Sequence, residues 1–329
     1  MTAFTPSQIV VRAPNWLGDV VLSLPALRDL RAAYPAARLS VLARPGVAAI
    51  YEAVPEVDAV VEATSLGGEV RALGAGYELA VLLTNSFGTA LASALAGIRE
   101  RWGYSTDGRG FLLTRKTSVP ASVRGLSQVH YYRAMLAAMG VATRDTPDPA
   151  IVCPGAWQAK GRALVGSGDF FGIAPGAARG SAKQWLPERF AAVADRLSEE
   201  LGAQALLLGS GADRNAGAAV GRAMKTPARD LCGQTDLRMF VGVASFLRAL
   251  VANDSGAMHV GAALGVPTVG VFGPTNPDET RPVGARASFI RGQAECSPCR
   301  HATCPIDHRC MTSVSADAVA DLVLQRARA

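Results

Sequence analysis

Short apolar runs alternate with amphipathic stretches along the first half of this 329-residue chain. The apolar runs predict strands at residues 9–12, 39–43, 58–62 and 79–83. Apolar residues at helical spacing predict helices at residues 17–34, 47–54 and 87–96. Because strands alternate with helices, we expect a parallel sheet with helices on both of its faces.

The second half repeats this alternation. Strands are predicted at residues 170–174, 203–208, 247–251 and 266–272, and helices at residues 187–201, 213–224, 235–246, 257–264 and 315–328. Pro and Gly are frequent around a short predicted helix at residues 156–164, which favours a domain boundary there. The sequence therefore predicts an α/β fold with two Rossmann-like doubly wound domains, residues 1–155 and 156–329, facing a central cleft. The final helix is expected either within the second domain or packed back on the first.

The run from Asn253 to Thr275 is the strongest candidate for a binding site. Its first polar residues, Asn253, Asp254 and Ser255, are typical of a turn and a helix N-cap. Gly256 leaves room for a close approach of the backbone, and His259 falls in the first helical turn. The free N–H groups of such a helix start attract anions. The alternative is an ordinary strand–helix–strand unit in which the cap residues only satisfy the helix end.

Asp19 lies at the start of the first long helix, where a doubly wound sheet places the carboxyl edge of its first strand. A carboxylate there can accept a proton from a substrate hydroxyl as general base. Alternatively, Asp19 only complements the helix dipole. The neighbouring Asn15 and Trp16 suit a polyhydroxylated ligand such as a sugar, although Trp16 is equally compatible with a core position.

Two further segments carry charge next to glycine. The loop after the predicted strand 170–174 contains Ser181 and Lys183, and a lysine offers a point charge to phosphate. The alternative is a solvated surface lysine, and the loop lacks the P-loop order of residues. Residues 99–124 interrupt the alternation and are rich in Gly, Arg and Thr, which predicts a functional loop. This loop contains Arg109, Arg115 and Lys116.

Composition narrows the class of protein. An apolar fraction of 49% and a charged fraction of 18% are typical of a well-packed globular protein. The net charge of +6 comes mostly from scattered arginines, which favours an anionic substrate or membrane surface over a nucleic-acid groove, or simply a basic enzyme. Neither a signal peptide nor a membrane span of about 20 apolar residues is recognisable, so we expect a cytoplasmic protein.

Four of the six cysteines lie close together: Cys296, Cys299, Cys304 and Cys310. This spacing is compatible with a structural zinc site, although the pairs are closer than in a zinc ribbon. Free or redox-labile thiols are the alternative. A zinc-dependent nucleic-acid binder would also carry such a cluster, but no basic, aromatic-interleaved strand accompanies it.

The segments NWLGDVVLSLPALRDL, PGAARGSAKQWLPERF and NDSGAMHVGAALGVPTVGVFGPT occur in this order. Together they resemble the ADP-heptose:lipopolysaccharide heptosyltransferases, in particular the heptosyltransferase II branch. The resemblance implies a glycosyltransferase B-type fold and an inverting transfer of heptose from ADP-heptose to the inner-core heptose of Kdo-lipid A. It implies no cofactor and no catalytic metal, and it adds peripheral attachment to the inner face of the cytoplasmic membrane as an option.

The resemblance also assigns roles to residues. Asp19 is implied as the general base, Lys183 as a diphosphate ligand and Asp254 as a ligand of the donor heptose. The other implied donor-binding residues are Ser181, Asp213 for the ribose, Gln234 and Thr235 near adenine, Ser255, Gly256 and His259. We expect the acceptor to bind Asn15, Trp16, Arg109, Arg115 and Lys116. Two alternatives remain: a nucleotide-sugar epimerase on the same fold, and a catalytically silent binding protein.

Overall fold

The computed structural model describes residues 4–178, 180–299 and 301–328. The chain forms two compact units, Met1–Val152 and Cys153–Ala329. The boundary between them falls within the Pro-containing segment that precedes the first helix of the second unit, close to the expected position after residue 155.

The N-terminal unit contains a six-stranded parallel sheet with helices packed on it. Its strands are β1 (Gln8–Arg12), β2 (Arg38–Ala43), β3 (Ala59–Glu62), β4 (Leu79–Leu82), β5 (Glu100–Tyr104) and β6 (Arg115–Thr117). Its helices are α1 (Leu17–Ala33), α2 (Pro45–Glu52), α3 (Leu66–Leu73), α4 (Phe87–Leu95) and α5 (Gln128–Ala138). The strand order is β3-β2-β1-β4-β5-β6, so the chain winds first to one side of β1 and then to the other.

The prediction that residues 99–124 form a loop is wrong, because this segment contains strands β5 and β6. Trp102 and Tyr104 are two residues apart in β5, so their side chains lie on the same face of the sheet, and both are buried. Because the strand begins with the charged residues Glu100 and Arg101, its sequence does not show the apolar run by which strands were predicted. Helices α3 and α5 were also not predicted.

The C-terminal unit repeats the architecture of the first. Its strands are β7 (Phe170–Ala174), β8 (Gln204–Leu207), β9 (Ala228–Asp230), β10 (Leu250–Asn253), β11 (Thr268–Phe272) and β12 (Ala287–Arg291). Its helices are α6 (Gly155–Val165), α7 (Pro187–Leu201), α8 (Arg214–Ala223), α9 (Leu237–Ala244), α10 (Gly256–Ala263), α11 (Pro277–Thr280), α12 (Arg309–Thr312) and α13 (Ala316–Arg328). The strand order is β12-β11-β10-β7-β8-β9, and every pairing is parallel.

The final helix α13 packs against α7, β11 and β12. Val319 and Val323 are fully buried in the core of the C-terminal unit, beside Phe190 of α7. The structure thus places this helix within the C-terminal unit, where its apolar face covers the edge of the second sheet.

In a doubly wound sheet, ligands bind outside the carboxyl ends of the strands at the point where the winding direction reverses. This point lies between β1 and β4 in the first unit and between β7 and β10 in the second. The loops that follow these four strands therefore define where functional side chains are expected. Within the described parts of the chain, no helix has the length and apolarity required to cross a bilayer.

Candidate functional site

A buried ion pair lies at the switch point of the C-terminal unit. Lys183, at the end of a short 3₁₀ turn after β7, places its Nζ 2.5 Å from Oδ2 of Asp254, which follows β10. The hydroxyl of Thr275 donates a hydrogen bond to the same carboxylate oxygen at 2.8 Å. The Asp254 side chain is only 5% exposed and that of Lys183 only 16%. Lys183 is therefore not the solvated surface residue of the alternative interpretation.

Asn253 connects the end of β10, next to Asp254, with the loop after β7 that carries Lys183. It was predicted as a turn residue, but it is the last residue of β10 and is fully buried. Its Oδ1 accepts the backbone N–H of Trp185 at 3.0 Å, and its Nδ2 donates to the carbonyl of Pro175 at 2.7 Å. A polar residue at the end of an apolar strand is the signal that identifies it in the sequence. Asn253 thus holds the loop after β7 against β10.

Helix α10 begins beside the ion pair. The backbone N–H groups of its first turn receive no hydrogen-bond acceptor from the side chain of the N-cap residue. Ser255 is the N-cap residue, but its side chain accepts no capping hydrogen bond. Its buried Oγ also has no partner among the residues that the structure describes. The first N–H groups of a helix lack intrahelical acceptors and carry the positive end of the dipole. This arrangement suits a phosphate group.

His259 lies in the same helix and is buried. Burial lowers the pKa of its imidazole to about 4, against an opposing effect of the nearby Asp254 carboxylate. The ring is therefore neutral at pH 7. Its Nδ1 is buried and has no hydrogen-bond partner within the described part of the chain. A neutral imidazole with an unused nitrogen can bind an uncharged polar group such as a hydroxyl.

Asp213, the residue predicted to bind the ribose, lies beside the loop after β7. Its Oδ2 accepts hydrogen bonds from the N–H and the hydroxyl of Ser210, at 2.8 and 2.7 Å, in a reciprocal capping box. A Cβ atom built on Gly176 would lie 2.1 Å from Oδ1 of Asp213, so only glycine permits this approach. The structure therefore brings Asp213 to the carboxyl ends of β7 and β8.

The remaining predicted donor side chains lie on the turn that carries Lys183 and in the loop after β9. Ser181 is exposed at the start of the turn that carries Lys183, and Gln234 is exposed after β9. The helix predicted from residue 235 begins at Leu237, because Asp236 caps it by accepting the N–H of Met239 at 2.7 Å. Thr235 thus precedes the helix in a half-buried loop. None of these three side chains takes part in the hydrogen bonds of the ion pair among the residues described.

In the N-terminal unit, Asp19 lies half-buried in the first turn of α1, at the switch point. Tyr132 of α5 lies within reach of the Asp19 charge. Burial and, secondarily, this charge raise the pKa of the Tyr132 phenol. Trp16 is 48% exposed, which excludes the core position considered for it. Asn15 is half-buried, and its Oδ1 accepts a hydrogen bond from Arg12 at 3.2 Å.

Arg12 and Glu69 form a second buried ion pair that sequence reasoning missed. The Arg12 guanidinium lies 2.7 Å from Glu69 Oε1 and also donates to the carbonyl of Ala13. Because Arg12 also contacts Asn15, this pair fixes the loop that leads to Asp19. The signal was an arginine at the end of an otherwise apolar strand, where a buried charge requires a partner.

A second polar cluster lies after β4, next to the Asp19 loop. Thr106 donates to Asn85 Oδ1 at 3.1 Å, and Asn85 Nδ2 donates to the Tyr131 hydroxyl at 2.8 Å. Asp107 accepts the N–H of Phe87 at 3.1 Å. Because β1 and β4 are adjacent, these amide and hydroxyl groups border the same switch point as Asp19. They were not predicted, since they come from three separate segments.

Arg109 was predicted as an acceptor-binding cation, and the structure contradicts this. Its side chain is completely buried, and its guanidinium donates to the backbone carbonyls of Tyr104, Thr84 and Ser86. Burial lowers its pKa to about 10, so the group remains charged at neutral pH. The buried Arg109 side chain thus holds together the segments that follow β4 and β5, and it is not available to a ligand.

Arg115 and Lys116 do not form a common surface with Arg109. They are consecutive residues of β6, so their side chains point to opposite faces of the sheet. The Arg115 guanidinium lies 4.9 Å from the ring centroid of Trp102 and donates to the carbonyl of Met139 at 2.9 Å. Lys116 lies on the other face, beside Gly110. The predicted basic platform of three residues is therefore wrong as a group.

The four clustered cysteines are free thiols. Cys296 is exposed and Cys299 and Cys304 are half-buried, whereas Cys310 packs in the core. Burial and the neighbouring cysteines raise the pKa of Cys310. No three His, Cys, Asp or Glu side chains within residues 4–178, 180–299 and 301–328 are arranged to hold a metal ion. The zinc hypothesis thus gains no support from the geometry.

The chain thus contains two Rossmann-like units, and the start of α10 in the second has backbone N–H groups of the kind that suit an anion. The model of glycosyltransferase family 9 (heptosyltransferase) matches residues 69–309, and the chain belongs to this family. The lipopolysaccharide heptosyltransferase 2 of Salmonella typhimurium is 34% identical over 86% of this chain and 88% of its own length. The Escherichia coli protein of the same name is 33% identical over the same shares of the two chains.

A solved structure of the E. coli ADP-heptose lps heptosyltransferase II superposes with a TM-score of 0.85. It covers 98% of both chains at 28% identity. The predicted fold class, the predicted family and the prediction of a glycosyltransferase are confirmed.

Proposed function

We propose that this chain transfers heptose from ADP-heptose to the inner-core heptose of heptosyl-Kdo-lipid A, with inversion at the anomeric carbon. The observation that carries the proposal is the cluster of Lys183, Asp254 and Thr275 at the uncapped start of α10. A diphosphate is the ligand chemistry that a buried lysine and a helix N-terminus favour together. The name of the similar E. coli structure, ADP-heptose lps heptosyltransferase II, supports ADP-heptose as the donor.

The donor binds in the C-terminal unit in this proposal. Its diphosphate accepts hydrogen bonds from Lys183 and from the first N–H groups of α10, while the Asp254 carboxylate accepts from a heptose hydroxyl. Ser255 Oγ and His259 Nδ1, which have no hydrogen-bond partner among the described residues, supply uncharged contacts to the same donor. Around them lie the remaining proposed donor contacts: Ser181, Asp213, Gln234, Thr235 and Gly256.

Asp19 is the proposed general base. A displacement with inversion requires one base that removes the proton from the attacking hydroxyl of the acceptor, and charge stabilisation for the departing ADP. Asp19 is half-buried in the first turn of α1, at the switch point of the N-terminal unit. The diphosphate contacts of the C-terminal unit stabilise the leaving group. No step of this mechanism requires a metal ion.

The acceptor binds in the N-terminal unit in this proposal. Asn15, exposed Trp16 and Lys116 are kept as contacts, and the amide and hydroxyl groups of Asn85, Thr106 and Tyr131 are suited to sugar hydroxyls. Because the acceptor is a lipid-linked sugar, we also propose that the protein acts in the cytoplasm, peripherally at the inner face of the cytoplasmic membrane.

The test is to incubate the protein with ADP-heptose, with and without heptosyl-Kdo-lipid A, and to measure ADP and the mass of both sugars. We expect ADP to form only with the acceptor, and the acceptor to gain one heptose. An isomerised donor without acceptor would instead identify an epimerase. Donor binding without any reaction would identify a silent binding protein.

A further inference from the structure

The segment that carries Cys296, Cys299 and Cys304 contacts the turn that carries Lys183. We refer to residues 293–299 and 301–308, between β12 and α12, as the cysteine loop. The carbonyl of Ala302 accepts the backbone N–H of Ala182 at 3.0 Å. A Cβ atom built on Gly180 would lie 2.2 Å from this carbonyl oxygen, so the two chains are in direct contact.

His308 supplies the second contact to this turn. Its Nε2 lies 2.7 Å from the carbonyl oxygen of Ala182. Because a carbonyl can only accept, Nε2 carries the proton and donates. Ala182 is buried and immediately precedes Lys183. Both backbone polar groups of the residue before Lys183 are thus bonded to the cysteine loop.

The same loop also contacts the segment that carries Thr275. The Ser297 hydroxyl donates to the carbonyl of Gly273 at 2.5 Å. The N–H of Cys299 donates to the carbonyl of Pro274 at 3.0 Å. The side chains of Lys183 and Thr275 both bond to Asp254 Oδ2. The cysteine loop therefore contacts the chain next to both partners of Asp254.

His308 is held from the other side by the core. Its φ angle of 60° lies in the left-handed region, and α12 begins at the next residue. Within α12, Cys310 and Met311 are buried under Gly273. A residue keeps such a backbone conformation only where its surroundings fix it. The imidazole is thus fixed relative to the core while its Nε2 bonds to the Ala182 carbonyl.

We propose that His308 is a positioning residue for the donor diphosphate: by holding the Ala182 carbonyl, it fixes Lys183 beside Asp254 and the start of α10. The cysteine loop as a whole braces the donor site. This inference rests on the proposed function, because it assigns the diphosphate to Lys183. It also gives the loop a role that does not depend on metal binding.

The test compares His308→Ala with His308→Gln. Neither substitute is favoured in the left-handed region, so both carry a similar backbone cost. Gln can place an N–H donor near the position of Nε2, whereas Ala cannot. Loss of one neutral hydrogen bond corresponds to about a 2- to 10-fold change in an equilibrium constant. We expect His308→Ala to weaken ADP binding by this factor and to leave adenosine binding unchanged. His308→Gln should restore most of the ADP affinity.

Two further measurements separate positioning from general support of the fold. In a Lys183→Ala background, His308→Ala should cause no further loss of ADP affinity, because the two residues act through one contact. In the ligand-free protein, hydrogen exchange at residues 181–184 should be faster in His308→Ala than in His308→Gln. Additive losses, equal losses for ADP and adenosine, or no recovery with Gln would each overturn the proposal.

The exchange measurement also distinguishes this inference from the proposed function. If Lys183→Ala binds ADP like the wild-type protein, the proposed diphosphate site is wrong and His308 cannot position it. Exchange at residues 181–184 would then still show whether His308 holds the turn. If ADP binding depends on Lys183 but exchange and ADP affinity are unchanged in His308→Ala, only the present inference is wrong.

Discussion

The two units place their functional candidates at the same point of the same sheet topology, yet the two sites differ in construction. In the C-terminal unit, Lys183 and Thr275 both bond to the Asp254 carboxylate, which is almost completely buried. In the N-terminal unit, Asp19 is half-buried and Trp16 is exposed. A buried, fixed set of charges suits a compact charged group, whereas an open polar surface suits a larger ligand.

The largest effect is expected where the open site acts in the chemistry. Asp19→Asn should lower kcat by about 10²–10⁴-fold, the usual contribution of a general base, while ADP affinity stays unchanged. The measurement is steady-state transfer kinetics together with ADP binding by calorimetry. Asp145→Asn, at an exposed position of the same unit, is the matched control. Near-normal turnover in Asp19→Asn would remove Asp19 from the mechanism.

The closed site should respond in binding. Lys183→Ala removes a charge-assisted hydrogen bond to phosphate, a loss of about 1.5–3 kcal/mol, so ADP affinity should fall about 10- to 100-fold. Adenosine, which lacks the diphosphate, should bind as before. Lys160→Ala, an exposed lysine of α6, should change neither affinity. Equal losses for ADP and adenosine would mean that Lys183 supports the fold and does not bind the phosphates.

Arg109 distinguishes a buried support from a binding surface in the N-terminal unit. Arg109→Ala leaves buried carbonyls without their donor, so the free energy of unfolding should fall by about 2–3 kcal/mol. Arg99→Ala, an exposed change nearby in sequence, should alter stability by less than about 0.5 kcal/mol. Denaturant titration measures both. If Arg109→Ala is as stable as Arg99→Ala but loses acceptor affinity, Arg109 is a ligand after all.

The smallest predicted effect is a pH dependence of the C-terminal unit. The pKa of His259 is about 4 in the folded protein and 6.5 ordinarily, so the unfolded chain binds more protons as the pH falls below 6.5. The stabilising contribution is complete above pH 6.5 and decreases towards pH 4. Between pH 6.5 and 5.5 the loss should be about 1 kcal/mol. His259→Gln, which does not titrate, should lack this part of the slope in denaturant titrations. An unchanged slope would mean that His259 has the same pKa in the folded and unfolded states.

The sequence predicted the C-terminal site better than the N-terminal one for a physical reason. Asp254, Ser255 and His259 lie in one continuous strand–helix unit, so their spacing alone brings them together. Lys183 is distant in sequence, but the βα alternation places it at the same switch point. Asn253 was assigned to a turn because the predicted strand, residues 247–251, ends two residues before the observed strand Leu250–Asn253.

In the N-terminal unit, a high density of arginine was interpreted as a surface. The spacing of residues does not show that the Arg109 side chain is buried and bonds to backbone carbonyls. It also does not show that residues 115–117 form a strand, in which Arg115 and Lys116 point to opposite faces. The contacts of Asn85, Thr106 and Tyr131, like those of Ala302 and His308, join distant segments. Such contacts are set by tertiary packing, which periodicity and motifs do not encode.

The most direct measurement is a crystal structure of the protein with ADP. Our account predicts that phosphate oxygens accept hydrogen bonds from Lys183 Nζ and from the first N–H groups of α10, next to Ser255. Phosphates bound instead at the turn of residues 209–213 before α8, with Lys183 still paired to Asp254 alone, would contradict the proposed donor site.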